Sequence, residues 1–240
     1  MDYYFGSELT PTEYAMWSTI TNAYLTAWGC SMGVMDVHGD SILTNIGVAV
    51  GDRISDLVGA GKNWSVRNYA RSGTTLENAV PLNLIDAPNF YDSRVIGSSS
   101  TAVKKYVAGY HKAILIGYGM NDIGLNYAGY NTTNFSTQDL AALDYINANQ
   151  GWPFAKMVRC GNTLAIYPDA GNYYVTFYAV PVAADQTRDD AFRAQYTADS
   201  AARSGVINID SRSIMDSNDL FGDGIHPDTS GCFKIGNNIL

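Results

Sequence analysis

The chain has 240 residues and a mass of 26.0 kDa, with 46% hydrophobic and 16% charged residues, enough apolar material for one sizeable core and the proportions of a single soluble domain. Its formal net charge is −8, its pI is about 4.7, and its longest basic run is the pair Lys104-Lys105. Nucleic acid and an anionic membrane surface both reward clustered cations, so neither is expected as a partner. No apolar run approaches the ~20 residues needed to cross a bilayer, and membrane insertion is not expected.

The amino terminus, Met1-Asp2-Tyr3-Tyr4-Phe5-Gly6-Ser7-Glu8, is acidic and lacks a basic segment followed by an apolar one, so the chain carries no recognisable secretory signal. The compartment stays open between the cytoplasm and a secreted or virion-associated parent protein. Trp17, Ile20, Tyr24, Leu25 and Trp28 recur at helical spacing within residues 1–30, which reads as a helical extension packed on the domain or linking to a preceding module. The main domain spans 31–240.

Within it, strand-like runs alternate with helix-like ones, the pattern of an α/β domain with a parallel sheet and helices on both faces. Strands are predicted near 33–38, 66–70, 113–117, 173–180 and 206–209. The first ends at His38-Gly39-Asp40-Ser41 and opens a helical segment through Leu43 and Ile46. The second leads into Asn68-Tyr69-Ala70-Arg71-Ser72-Gly73, and the third, the most apolar, into Gly119-Met120-Asn121-Asp122. Residues 124–152 hold Tyr127, Tyr130, Asn131, Asn134 and Tyr145 and read as an insertion. Placed beyond the carboxyl ends of the strands, it would form a wall of the ligand site. A helix is predicted over 188–203, started by a capping-box-like Thr187 and Asp190 and ended by Gly205. The segment Asp223-Gly224-Ile225-His226-Pro227 then precedes a short helix near 230–240.

These four segments supply the parts of acyl-transfer chemistry. Ser41, at a strand-to-helix junction, presents a hydroxyl at the sheet edge and an N–H that is one of the unpaired donors of a helix start. His226 is the candidate base, and Asp223 is close enough in sequence to hold its imidazole in one tautomer. Gly73 offers a bare backbone N–H and Asn121 a side-chain amide, donors for a developing oxyanion. One such donor is typically worth ~3–4 kcal/mol of transition-state stabilisation.

Each residue also has a plainer reading. Ser41 suits a helix cap, Gly73 a turn, and Asn121-Asp122 the cap of the next segment. Asp40 is expected to brace the Ser41 loop, His38 and His111 to be structural, and Asp219 is a weaker rival to Asp223. The tyrosine-rich stretch divides evenly between substrate contact and packing.

In order and spacing the four blocks resemble those of the SGNH hydrolase superfamily, also known as GDSL esterases and lipases. Its family letters fall on Ser41, Gly73, Asn121 and His226, with Asp223 as third triad member. The resemblance covers about 34–240 and implies a three-layer α/β/α flavodoxin-like sandwich with a central, mainly five-stranded parallel sheet. It implies a Ser41-His226-Asp223 triad, an oxyanion hole of Ser41, Gly73 and Asn121, and no metal or organic cofactor. The first block reads Gly-Asp-Ser-Ile, the variant common among relatives acting on carbohydrate esters, which implies a small-molecule or glycan ester substrate carrying a short acyl group.

A broad short-chain esterase, thioesterase, lysophospholipase or acyltransferase is the alternative within enzymes. A glycan-binding module on an esterase scaffold is the alternative outside them. Cys30, Cys160 and Cys232 lack metal-ligand spacing and read as small buried residues, with Cys30–Cys160 or Cys160–Cys232 pairing open if the chain is exported. Asn63, Asn131 and Asn134 each begin an Asn-X-Ser/Thr sequon, meaningful only in a eukaryotic secretory pathway. Oligomeric state is not legible.

Overall fold

Near-continuous apolar runs become strands covered on both faces, because a parallel sheet joined by crossover helices leaves neither face to water. The computed structural model describes residues 33–44, 47–76, 102–119, 121–122, 131–160, 182–222 and 225–239. Strand β1 (Gly33–Gly39) is buried along its whole length, and β3 (His111–Gly117) is buried but for Lys112. With β2 (Trp64–Asn68), β4 (Met157–Cys160) and β5 (Ile207–Ile209) they form one five-stranded sheet of order β2-β1-β3-β4-β5, every pairing parallel.

The helices in chain order are α1 (Ser41–Thr44), α2 (Ile54–Lys62), α3 (Thr132–Gln150), α4 (Val182–Ala201), α5 (Ser211–Ile214) and α6 (Thr229–Ile239). Alternation along the strands sorts the core into two layers. Met35, Val37, Ala113 and Leu115 pack with Ile54 and Val58 of α2 and Cys232 and Ile235 of α6. Ile114 and Ile116 point the other way, into Phe135, Leu143 and Ile146 of α3 and Phe192 and Tyr196 of α4. The result is the expected three-layer α/β/α sandwich.

Three elements differ from, or lie partly outside, what the sequence predicts. The fourth strand in the described structure is β4, which carries a fully buried arginine, Arg159; the predicted strand at 173–180 lies outside the described residues. Helix α4 begins at Val182, so Thr187 and Asp190 lie inside it rather than capping it. Within 124–152, residues 132–150 form the crossover helix between β3 and β4, capped by the Asn131 side chain, which accepts from the N–H groups of Thr133 and Asn134. Tyr145 on that helix packs against the second core layer, so this part of the stretch covers the sheet. Residues 123–130, with Tyr127 and Tyr130, and the amino-terminal segment 1–32 lie outside the described residues.

Candidate active site

Chain order and sheet order part company at β1, whose neighbours β2 and β3 follow it in sequence on opposite sides. Ligands of open α/β sheets bind at such a switch point, beyond the carboxyl ends of the strands. Ser41, Gly73 and Asn121 follow β1, β2 and β3 respectively.

At the end of β1 the chain turns into α1 under tight backbone control. The Asp40 N–H donates to Gly117 O at 3.1 Å, and Asp40 O accepts from Thr44 N–H at 3.1 Å. The Asp40 carboxylate accepts from Ile42 N–H at 2.9 Å, bracing the Ser41 turn as expected. Gly39 and Gly117 are register partners. A Cβ on either would come within 2.7 to 2.8 Å of Leu43 Cδ1, so these two bare positions let α1 lie close to the strand ends. Ser41 itself is buried.

Past β2, pairing with β1 continues without a formal strand: Tyr69 N–H donates to Val37 O at 2.8 Å and Arg71 N–H to Gly39 O at 2.9 Å. Asn68 reaches across to α1, its Nδ2 donating to Leu43 O at 2.9 Å. The next turn is closed by Thr74 Oγ1 donating to Arg71 O at 2.7 Å. Gly73 in this turn has φ +77°, and among the described residues no atom lies within 4 Å of where a Cβ would sit. A left-handed backbone favours glycine, and the space beside it among the described residues leaves room for a ligand.

The third block is tied to this turn directly. Asn121 Nδ2 donates to Thr74 O at 3.0 Å. The adjacent Asp122, fully buried, accepts the Leu76 N–H at 3.0 and 3.1 Å on its two carboxylate oxygens. Met120 lies outside the described residues.

His226 sits on a loop closed by a bridge between Leu220 and Pro227 and by Phe221 N–H donating to His226 O at 2.9 Å. The Phe221 ring lies against Gly47, 3.1 Å from where a Cβ would be, so this loop rests on the segment that leaves α1. His226 Nε2 is buried. Asp223 and Gly224 lie outside the described residues.

The rival acid, Asp219, is occupied elsewhere: it accepts from Ser230 Oγ at 2.9 Å, Lys234 Nζ at 2.6 Å and Asp216 N–H at 2.7 Å. Burial works against its charge, and the Lys234 ammonium and these hydrogen bonds outweigh that, holding the carboxyl below its ordinary value.

The remaining histidines are structural. His38 is buried and stacks on Tyr69 with centroids 5.2 Å apart. His111 accepts the Val107 N–H on Nδ1 at 2.8 Å. Burial, then the neighbouring Arg67 guanidinium, lowers its pKa to about 4, so it is neutral at ordinary pH. Cys160 and Cys232 are buried, and burial pushes their thiols up to about 11 and about 12, far from the thiolate that a cysteine nucleophile needs. Cys30 lies outside the described residues. Among the described residues no His/Cys/Asp/Glu cluster could hold a metal, and no helix is long and apolar enough to cross a membrane.

Sequence reasoning missed Asn68, which supports α1, and gave Asp122 only the capping role. Their signal was position inside the recognised blocks.

No protein-family model matches the sequence, and no curated protein matches it. Solved structures do. A protein of Agrobacterium tumefaciens assigned as an arylesterase superposes with a TM-score of 0.62 at 17% identity, over 87% of this chain and 96% of that one. A protein of Slackia heliotrinireducens assigned as an SGNH hydrolase gives 0.54 at 12% identity, over 87% and 97%. The fold is that of the SGNH hydrolases. A family 2 carbohydrate esterase of Corynascus thermopiles, which carries a carbohydrate-binding domain as well, gives 0.57 at 16% identity. That match spans 86% of this chain and 64% of the larger protein.

Proposed function

We propose that this chain is a serine esterase that cleaves short-chain acyl esters through an acyl-enzyme, and that its reaction is O-deacetylation of a carbohydrate. The observation that supports the reading most is the Asn121 Nδ2 bond to Thr74 O at 3.0 Å. It ties the Asn121 block to the segment that follows Gly73, near the sheet edge where Ser41 opens α1, and so supports reading Gly73 and Asn121 as oxyanion donors.

In this reading Ser41 Oγ attacks the ester carbonyl as His226 takes its proton, with Asp223 orienting the imidazole. The tetrahedral oxyanion is held by the N–H groups of Ser41 and Gly73 and by the Asn121 amide. The alcohol leaves with the proton from His226, and water repeats the sequence on the acyl-enzyme. The substrate class rests on the Gly-Asp-Ser-Ile block and on fold neighbours described as family 2 carbohydrate esterases. Tyr145 gives no support to a sugar-binding wall, since it packs from α3 against the core. The arylesterase-like neighbour favours a broad short-chain esterase as second reading.

Hydrolysis of para-nitrophenyl esters from acetyl to dodecanoyl, beside acetate release from acetylated oligosaccharides, separates them. Activity on acetylated sugar well above that on aryl acetate, lost in Ser41→Ala, fits the proposal. Comparable rates on aryl esters of all lengths favour the second reading.

A further inference from the structure

We infer that Asp122 is a positioning residue for the oxyanion hole, acting through Asn121 and the Gly73 turn; this rests on the esterase reading above. Two adjacent residues grip two points of one segment. Asn121 Nδ2 holds Thr74 O at 3.0 Å, and the Asp122 carboxylate holds Leu76 N–H at 3.0 and 3.1 Å. Thr74, Thr75 and Leu76 are all buried, and Gly73, one residue earlier, faces open space among the described residues. The segment therefore passes from an anchored stretch to a ligand-facing turn within one residue, and Asp122 supplies the anchor from the block that carries the other donor.

This arrangement has two physical consequences. A carbonyl can only accept, so Thr74 O fixes which end of the Asn121 amide is the donor and takes one of its two protons, leaving the other for an oxyanion. Donors of an oxyanion hole act within about 2.7–3.1 Å of the charge they stabilise, so a few tenths of an ångström of drift between Gly73 and Asn121 weakens both. A buried carboxylate needs strong compensation, and here that compensation ties the two donor segments into one unit.

The test is a double-mutant cycle on para-nitrophenyl acetate with Asn121→Ala, Asp122→Asn and the double variant, each checked for its unfolding midpoint. Asp122→Asn keeps an acceptor for Leu76 and removes the charge. A fall in kcat of about tenfold or more with KM within about twofold is expected. In the Asn121→Ala background the same change should lower kcat by less than about threefold, because the unit is already broken. An unchanged kcat in Asp122→Asn, or losses that multiply in full, overturns the inference while leaving the esterase reading intact.

If Asp122→Asn does not fold, exchange of the Leu76 amide in the wild type is compared before and after phosphonylation of Ser41. Coupling is reciprocal, so filling the hole should slow that exchange, and no change overturns the inference. A wild type that neither turns over any ester nor is phosphonylated overturns the esterase reading itself.

Discussion

The side chain of Asn121 and the carbonyl of Thr74, 47 residues apart in sequence, are joined by a 3.0 Å hydrogen bond at the carboxyl edge of the sheet. Asn121→Ala removes the donor amide and this link together. Its kcat on a short-chain ester should fall about 10²- to 10³-fold, with KM little changed, as expected for a group that acts on the transition state. Steady-state kinetics on the folded variant check this, and a change confined to KM would assign Asn121 to ground-state binding.

Gly73→Ala tests the other donor. At φ +77°, with no neighbour among the described residues within 4 Å of a Cβ, the substitution meets strain without a clash with them, which costs about 1–2 kcal/mol. Gly51, at φ +99° and equally open, is the control. Both alanine variants should lose similar stability in chemical denaturation, and only Gly73→Ala should lose turnover, by about tenfold or more.

Asp219 and Asp223 should separate by phenotype. Asp219 is buried and holds the turn before α6 through Ser230, Lys234 and Asp216. Asp219→Asn should therefore cost about 1–3 kcal/mol of stability and keep most turnover. Asp223→Asn should keep stability and lower kcat by about 10⁴-fold, the loss seen when an imidazole is left in the wrong tautomer. The reverse pattern would make Asp219 the triad acid.

The second core layer predicts a pH dependence. Asp139 on α3 pairs with Arg159 on β4 at 2.7 Å, and the Arg159 guanidinium lies 3.5 Å from the Tyr196 ring centre. Burial, with neighbouring Asp199 adding to it against the pull of Arg159, raises the Asp139 carboxyl from 3.8 to about 7. The folded state then binds a proton that the unfolded state has released, so this carboxyl's contribution is fullest below about pH 4 and is lost as pH rises towards 7. The wild type should lose unfolding midpoint relative to Asp139→Asn across that window. A pH-independent difference would contradict the account.

How much of this was legible in the sequence depended on how far burial tracked apolarity. β1, β3 and β5 announced themselves through their apolar residues, and β2, although it carries Arg67 and Asn68, through Trp64 and Val66 at alternate positions. β4 did not, because its four residues include Arg159, an ion held in the core by Asp139, Tyr196 and Ser200, and no pattern rule expects it. α3 was hidden by the other half of the same pair. Phe135, Ala142, Leu143 and Ile146 recur at helical spacing, but Asp139 interrupts their stripe, and the surrounding amides and tyrosine read as a polar loop. Ser41, Gly73 and Asn121 stood out for another reason, since a strand-end serine, a turn glycine and a strand-end asparagine are each signalled by local backbone needs. The contacts that join them, from Asn68, Thr74 and Asp122, are long-range and appear only in the fold.

The most direct measurement is the reaction of the folded protein with a fluorophosphonate, read by intact mass and peptide mapping, beside Ser41→Ala. The account predicts one adduct per chain, on Ser41, absent from the variant and formed far more slowly in Asn121→Ala. No adduct on the wild type, or an equal adduct on Ser41→Ala, would contradict it.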